Sequence, residues 1–237
     1  MPASINLERF DNSDFDRGAP RWKRRLWVVV RGIFFQNPWP RATRFKSALL
    51  RAFGAKIGRG LLIGSNVNIS FPWRLTVGDH VWIGDDVGIL SMAQVTIESN
   101  VCVARRSFLC TASHDFRRED FKLKVAPILI QTGSWIALGS IITPGVTIGS
   151  GAVVSAGSVV LKDVPANCLV RGNPATVVYE INRESGSDKA SVGILRVRDK
   201  NLSSSSDAVV GNVDNVNYLD GVLSKHSVET EELPNSQ

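Results

Sequence analysis

The chain has 237 residues, a formal charge of +6, 43% hydrophobic residues and three cysteines. That length supports one sizeable core and leaves little for a second domain, while the scattered Cys102, Cys110 and Cys168 exclude a disulfide framework and suit a reducing, cytoplasmic compartment. The longest apolar run, residues 26–30, falls far short of a membrane span, and the polar, acid-bearing opening through Gly18 does not read as a signal peptide.

Residues 1–20 show no period and end in Gly18-Ala19-Pro20, so they read as a flexible arm. Residues 21–56 read as a helical cap. Its first helix, 21–35, mixes Trp22, Leu26, Trp27 and Ile33 with Lys23, Arg24, Arg25 and Arg31, the pattern of a basic amphipathic helix that either packs on the open end of the next domain or lies on a membrane surface. Pro38 and Pro40 break the chain, and a second helix starting at Pro40 or Arg41 runs to Phe53, with Gly54 placed to end it. From Arg17 to Arg74 every fixed charge is basic, whereas the segment beyond Gly186 is net acidic. The asymmetry points to an anionic partner for the first third, either a lipid surface or an anionic glycan; a solubilising face is the plainer reading. Nucleic acid is disfavoured, because the aromatics there fall at helical spacing and read as packing.

Residues 57–180 carry a six-residue period. Aliphatic residues open each unit at Ile57, Ile63, Ile69, Val77, Ile83 and Ile89, and again at Ile130, Ile136, Ile142 and Ile148, and the fifth place is small or β-branched. Such a repeat is the signature of an all-β solenoid in which every third unit returns to the same face. Early coils are twenty residues apart and later ones eighteen, giving about five coils. The spacing breaks between Leu109 and Ile130, so residues 113–127 leave the coil as a loop that begins Ser113-His114-Asp115. The segment 168–178 is placed to close the far end, and residues 181–237, rich in Ser, Asp and Asn, read as a disordered polar tail.

The run from Ile148 to Val160, followed by Lys162-Asp163-Val164-Pro165 and Gly172-Asn173-Pro174-Ala175, resembles the hexapeptide-repeat acetyltransferases. Phe53-Gly54-Ala55-Lys56-Ile57-Gly58, Pro72-Trp73-Arg74-Leu75 and Ser113-His114-Asp115 are similar to the colanic acid biosynthesis acetyltransferase group, near the nodulation and maltose/galactoside O-acetyltransferases. The resemblance covers roughly residues 22–180. It implies a left-handed parallel β-helix, a homotrimer with active sites between subunits, and acetyl-CoA as donor to a saccharide hydroxyl, with no metal.

Acetyl transfer to a hydroxyl needs a base, and imidazole titrates near working pH; the resemblance places that base on His114. Either Asp115 or a main-chain carbonyl would hold the other ring nitrogen and fix the tautomer. Counting back by twenty from His114 gives Gln94 and Arg74, so these three are expected to stack along one solenoid edge beside Trp73. Trp73 and Arg74 suit a sugar acceptor, with corner packing of equal weight. For the donor, the resemblance implies contacts at Trp135, the turn from Ala137 to Ser140, Ala156, Gly157 and Lys162. Two departures stand out. Gly84-Asp85-Asp86 occupies the region of the family's acceptor-binding Asn, which puts Asp85 and Asp86 forward in its place. Thr176 replaces a basic CoA contact, with Arg183 the next candidate.

Other function classes compete. A zinc enzyme on this kind of solenoid needs three histidines, and only His80 and His114 fall within the repeats. A non-catalytic solenoid used as a scaffold or binding surface remains the alternative that fold alone does not exclude.

Overall fold

Side chains alternate in and out along extended chain, and the aliphatic residue opening each hexad is the one turned inward. Stacked coil on coil, Ile69, Val77, Ile89, Ile97, Leu109 and Ile130 form a continuous buried column. The computed structural model describes residues 4–36 and 42–182. Within them the repeats wind as a parallel β-helix with three faces. The first face carries the strands Lys56–Ile57, Leu75–Val77, Val95–Ile97, Ile128–Ile130 and Thr147–Ile148. The second carries Leu62–Ile63, Trp82–Ile83, Cys102–Val103, Trp135–Ile136, Val153–Val154 and Cys168–Gly172, and the third Asn68–Ile69, Gly88–Leu90, Phe108–Cys110, Ile141–Ile142 and Val159–Val160. Lys56 pairs with Thr76 and Leu129 with Thr147, the twenty- and eighteen-residue registers read from the sequence. Five complete coils end in a bridge from Ile148 to Val164 and a hairpin of Cys168–Gly172 with Ala175–Glu180.

The corners on either side of the second face each use one residue in the left-handed region. Asn66, His80, Asp86, Asn100 and Arg106 supply it in the early coils, all with φ between 54° and 59°, so His80 is a corner residue. Small side chains at the fifth place of a hexad tie coils together. The buried hydroxyls of Ser107, Ser134 and Ser140 donate to the carbonyls of Ala137, Gly149 and Ser155 at 3.0, 2.9 and 3.0 Å. Glycine after the aliphatic residue has a steric reason: a Cβ on Gly149 would lie 2.4 Å from the Ala166 nitrogen of the next coil.

Two helices cover the first coil. Helix α1, Arg21–Phe34, buries Trp27, whose indole donates to the Ile69 carbonyl at 2.9 Å and packs on Phe35 and Phe53. Helix α2, Thr43–Ala52, buries Leu50 and Lys46. The Lys46 ammonium donates to the Gly64 carbonyl at 2.7 Å, and burial lowers its pKa, with Asp85 opposing. Arg51 donates to the carbonyls of Ile57 and Gly58 at 3.0 and 2.9 Å. Among the described residues no helix is long and apolar enough to cross a membrane. The breaks expected at Pro38 and Pro40, residues 183–237 of the tail expected to be disordered over 181–237, and Arg183 lie outside the described residues.

The N-terminal segment differs from a flexible arm. Its acids and aromatics find complements on the loop and the coil edge: Asn6 donates its amide to Glu119 O at 2.9 Å, Arg9 pairs with Glu119 at 2.9 Å, Asp14 with Lys122 at 3.0 Å, and the Trp73 indole donates to Arg17 O at 2.9 Å.

The outer faces are chemically unequal. Along the second face Leu62, Trp82, Cys102, Trp135 and Val153 stand in one paired row, and along the third Phe108, Ile141 and Val159 do. The first face presents Lys56, Thr76, Thr96, Leu129 and Thr147.

Replacing Gly149 by Val forces a side chain into the next coil's backbone. The expected cost is about 1–3 kcal/mol, typical of overpacking, read as a lower melting temperature; unchanged melting would show that the coils can separate locally at no cost.

Candidate active site

The loop at the break in the repeat is an antiparallel hairpin, Ala112–His114 against Leu123–Val125. Thr111 is the last residue in coil register, its amide donating to Leu90 O at 3.1 Å and its hydroxyl accepting from the Ala93 amide at 2.9 Å. Over Gln94 the next coil returns at Ile128, whose amide donates to Gln94 O at 3.0 Å. His114 therefore stands on the hairpin and not in a column above Gln94 and Arg74. The count of twenty fails here because it holds only while the chain stays in the coil.

His114 is half-buried and held on three sides. Its Nδ1 lies 2.8 Å from the Phe121 carbonyl oxygen, which fixes the tautomer with hydrogen on Nδ1 and leaves Nε2 as an acceptor. The Phe121 ring stacks on the imidazole at 4.3 Å with a 2° interplanar angle, and Phe10 from the N-terminal segment meets its edge at 5.5 Å. Phe121 sits at φ 47°, in the left-handed region, which turns the chain so that both its ring and its carbonyl face His114.

Asp115, expected as one of two orienting candidates, does not hold the imidazole. Its carboxylate pairs with Lys124 at 2.8 Å and accepts the Arg117 amide at 3.2 Å. The hydrogen bond from Lys124, then that from Arg117, holds its carboxyl below the ordinary carboxylate range. Adjacent residues of an extended chain face opposite ways, so the carbonyl is the partner that geometry allows.

A cavity of about 500 Å³ adjoins the hairpin, walled by Arg74 and Gln94 from the coil edge, Lys122 and Leu123 from the return strand, and Asp14 and Asp16 from the N-terminal segment. Arg74 is engaged within the chain. It donates to the carbonyls of Met92 and Asp16, stands 3.7 Å from the Asp16 carboxylate and lies over the Phe15 ring at 5.2 Å. Gln94 donates to the Thr76 hydroxyl at 3.1 Å. Corner packing thus accounts for Arg74, and Trp73 is bound by the same segment. Asp85 and Asp86 occupy another corner, where Asp85 accepts the Ser65 amide at 2.7 Å, Asp86 accepts from Asn66 at 2.8 Å, and Arg105 neutralises both. The single chain does not bring them to His114.

The donor candidates divide in two. Ala137 and Ser140 are buried, and the Ser140 hydroxyl is committed to the carbonyls of Ala137 and Ser155, so these two shape the corner from inside. At that corner Leu138, Ala156 and Gly157 are exposed, and Gly157, at φ 70°, has open space where a Cβ would stand. Trp135 is half-buried on the second face and Lys162 is exposed at the following corner. A thin, long ligand fits such a row of small exposed residues with a cation at its end. Among the described residues no three His, Cys, Asp or Glu side chains group as metal ligands.

No protein-family model matches the sequence. The chain is 42% identical over 164 residues to WcaF of Escherichia coli K12, a protein named for acetyl transfer in colanic acid biosynthesis, spanning 69% of this chain and 90% of that one. It belongs to the hexapeptide-repeat acetyltransferase family. The galactoside O-acetyltransferase of E. coli is 30% identical over 173 residues, which are 72% of this chain and 84% of that one. Among solved structures, a hexapeptide-repeat acetyltransferase from Vibrio cholerae complexed with acetyl-CoA superposes with a TM-score of 0.64 at 27% identity, covering 74% of this chain and 97% of that one. For a member of this family, the docked N-terminal segment adds Phe10 to the surroundings of His114, a residue the repeat pattern gives no reason to select. Asp11, Asp14 and Asp16 standing before an all-basic stretch were the available signal.

Replacing Phe10 by Ala should speed amide exchange across residues 112–125 while coil amides stay protected. Acid should lower the hairpin's protection factors, taken against the intrinsic exchange rate at each pH: a carboxyl whose folded pKa is depressed, as for Asp115, stabilises above the ordinary carboxylate range and loses that contribution as pH falls through the lowered value. Exchange indifferent to both changes would show that the hairpin holds its shape unaided.

Proposed function

We propose that this chain is an acetyl-CoA-dependent O-acetyltransferase that acylates a hydroxyl of a saccharide or polysaccharide precursor, with His114 as general base. The observation that carries the reading is the Phe121 carbonyl 2.8 Å from Nδ1, which directs a basic Nε2 outward from the hairpin. His114 takes the acceptor's hydroxyl proton as that oxygen bonds to the acetyl carbon, and the imidazolium returns a proton to the departing thiolate sulfur. Phe10 and Phe121 hold the ring in place and act by positioning. Donor contacts are assigned to Trp135, Leu138, Ala156, Gly157 and Lys162, and the saccharide to the cavity beside Gln94. The relatives named for colanic acid and galactoside acetylation support a sugar acceptor.

The protein is proposed to work as a homotrimer. The apolar outer rows of the second and third faces, with Trp82 52% and Leu62 50% exposed on one and Ile141 38% exposed on the other, suit a heterologous contact in which one face of a copy meets the other face of the next. Three such contacts close a ring. Closure would also carry the corner of Asp85 and Asp86 toward a neighbour's hairpin, the arrangement that returns those two to an acceptor role. Contact of α1 with an anionic membrane surface completes the reading, supported by Trp22 and Val29, 66% and 56% exposed among arginines.

His114→Ala should lower turnover by ~10²–10⁴, the usual worth of a general base, with acetyl-CoA affinity unchanged in calorimetry. A His114→Ala protein with near-normal turnover places the base elsewhere. Lys162→Ala should weaken acetyl-CoA binding about five- to tenfold, the loss of one exposed phosphate contact. Light scattering should give three times the chain mass, and Trp82→Glu should reduce it; a monomeric, active wild type ends the trimer reading.

A further inference from the structure

A second cavity, about 550 Å³, lies between α1 and the coil edge at residues 70–73, and Arg17, Arg21, Arg24, Arg25 and Arg31 line it with no Asp or Glu among the described residues. Six of the ten other described arginines are matched. Arg9, Arg59, Arg74, Arg105, Arg106 and Arg118 each have a carboxylate within 4 Å, and among the described residues none of the five cavity arginines does. The Nε atoms of Arg24 and Arg31 are buried without a hydrogen-bond partner among the described residues. Five like charges around one space repel one another, and a buried guanidinium donor without an acceptor is costly. What sets these five apart is that they converge on one space with no described carboxylate near them, two of them with buried donors unmet, which makes a site that an anion completes. Burial also lowers the Arg31 pKa, the direction a nearby anion would reverse.

We infer that this cavity binds a phosphate-ester group through Arg24 and Arg31. Guanidinium forks match phosphate oxygens in pairs, which favours this class over a lone carboxylate. Phe71, Trp73 and Ser70 form the opposite wall and offer aromatic faces to whatever the phosphate carries. Lys23 and the Arg17 carbonyl fix the Trp73 ring, so the wall is preformed. Two sources share this chemistry: a lipid headgroup, reached from the side of α1 where Trp22, Leu26 and Val29 are exposed at helical spacing, or a soluble phosphate ester such as a sugar diphosphate. The inference is independent of His114 chemistry.

The test uses the full-length protein saturated with acetyl-CoA, so that phosphate binding at the donor groove is already blocked. Inorganic pyrophosphate is titrated by calorimetry at fixed ionic strength, and flotation is measured on phosphatidylglycerol/phosphatidylcholine vesicles and on phosphatidylcholine alone. Pyrophosphate should bind, and the pair Arg24→Gln with Arg31→Gln should weaken it at least tenfold, while Arg117→Gln on the hairpin changes it less than twofold. If the paired variant fails to fold by circular dichroism, Arg17→Gln with Arg21→Gln serves at the rim and should weaken binding at least threefold. Flotation on the anionic vesicles alone, competed by pyrophosphate, assigns the lipid headgroup; pyrophosphate binding without flotation assigns the soluble ester. No pyrophosphate binding, affinity unmoved by the cavity variants, or flotation that depends on Trp22 but not on Arg24 and Arg31 overturns the inference. Loss of acetyl-CoA binding in the wild type would instead strike the transferase reading, and pyrophosphate titration without the donor would still decide this one.

Discussion

The inward column of aliphatic side chains governs this molecule. Each coil buries its share only by lying flat on the coil before it, so Ile69, Ile89 and Leu109 have to stand in register, and every hexad between them has to keep its length. The extra dipeptide of the early coils is accommodated at the corner that enters the first face, residues 70–74 and 90–94, the former holding the short 3-10 turn Pro72–Arg74. A scaffold fixed so tightly can carry chemistry only on its outer rows, its corners and its excursions. The three differ in chemistry: the outer rows of the second and third faces are apolar, one run of corners carries small exposed residues, and one hairpin carries the histidine.

The hairpin works because its two strands answer each other. Ala112, Ser113 and His114 pair with Val125, Lys124 and Leu123, which brings the Phe121 turn back over the imidazole. A main-chain carbonyl is a better orienting group here than a carboxylate, since it cannot be lost by protonation and its position follows from the backbone. Asp115 is left free to lock the hairpin through Lys124. The N-terminal segment closes the arrangement, with Asp14 on Lys122 and Phe10 on the ring, so that the start of the chain stabilises a loop more than a hundred residues further on.

Charge is distributed with the same division of labour. The acids of residues 11–16 precede the basic stretch, and Asp14 and Asp16 neutralise Lys122 and Arg74 at the cavity beside the hairpin. None reaches the arginines under α1. One cavity is therefore nearly balanced in charge, while its neighbour across residues 14–18 is strongly positive. Trp73 and Arg74, consecutive in sequence, face one each.

The six-residue period by itself determined the solenoid, its two registers, the place where the loop departs and the closing segment, because these depend on which side of an extended strand a residue falls, a property that neighbours in sequence settle. The same period, extended one step too far, placed His114 over Gln94 and Arg74; the chain had already left the coil at Thr111. What only the tertiary structure decided are the pairings between distant segments. They include the Phe121 carbonyl as the partner of His114, Asp16 and Met92 on Arg74, Arg105 on Asp85 and Asp86, and the buried hydroxyl of Ser140 turned into its corner. No local pattern encodes those contacts, since the residues are brought together by the fold after the repeat has fixed the path of the backbone, and only then does burial decide which polar group has to find which partner.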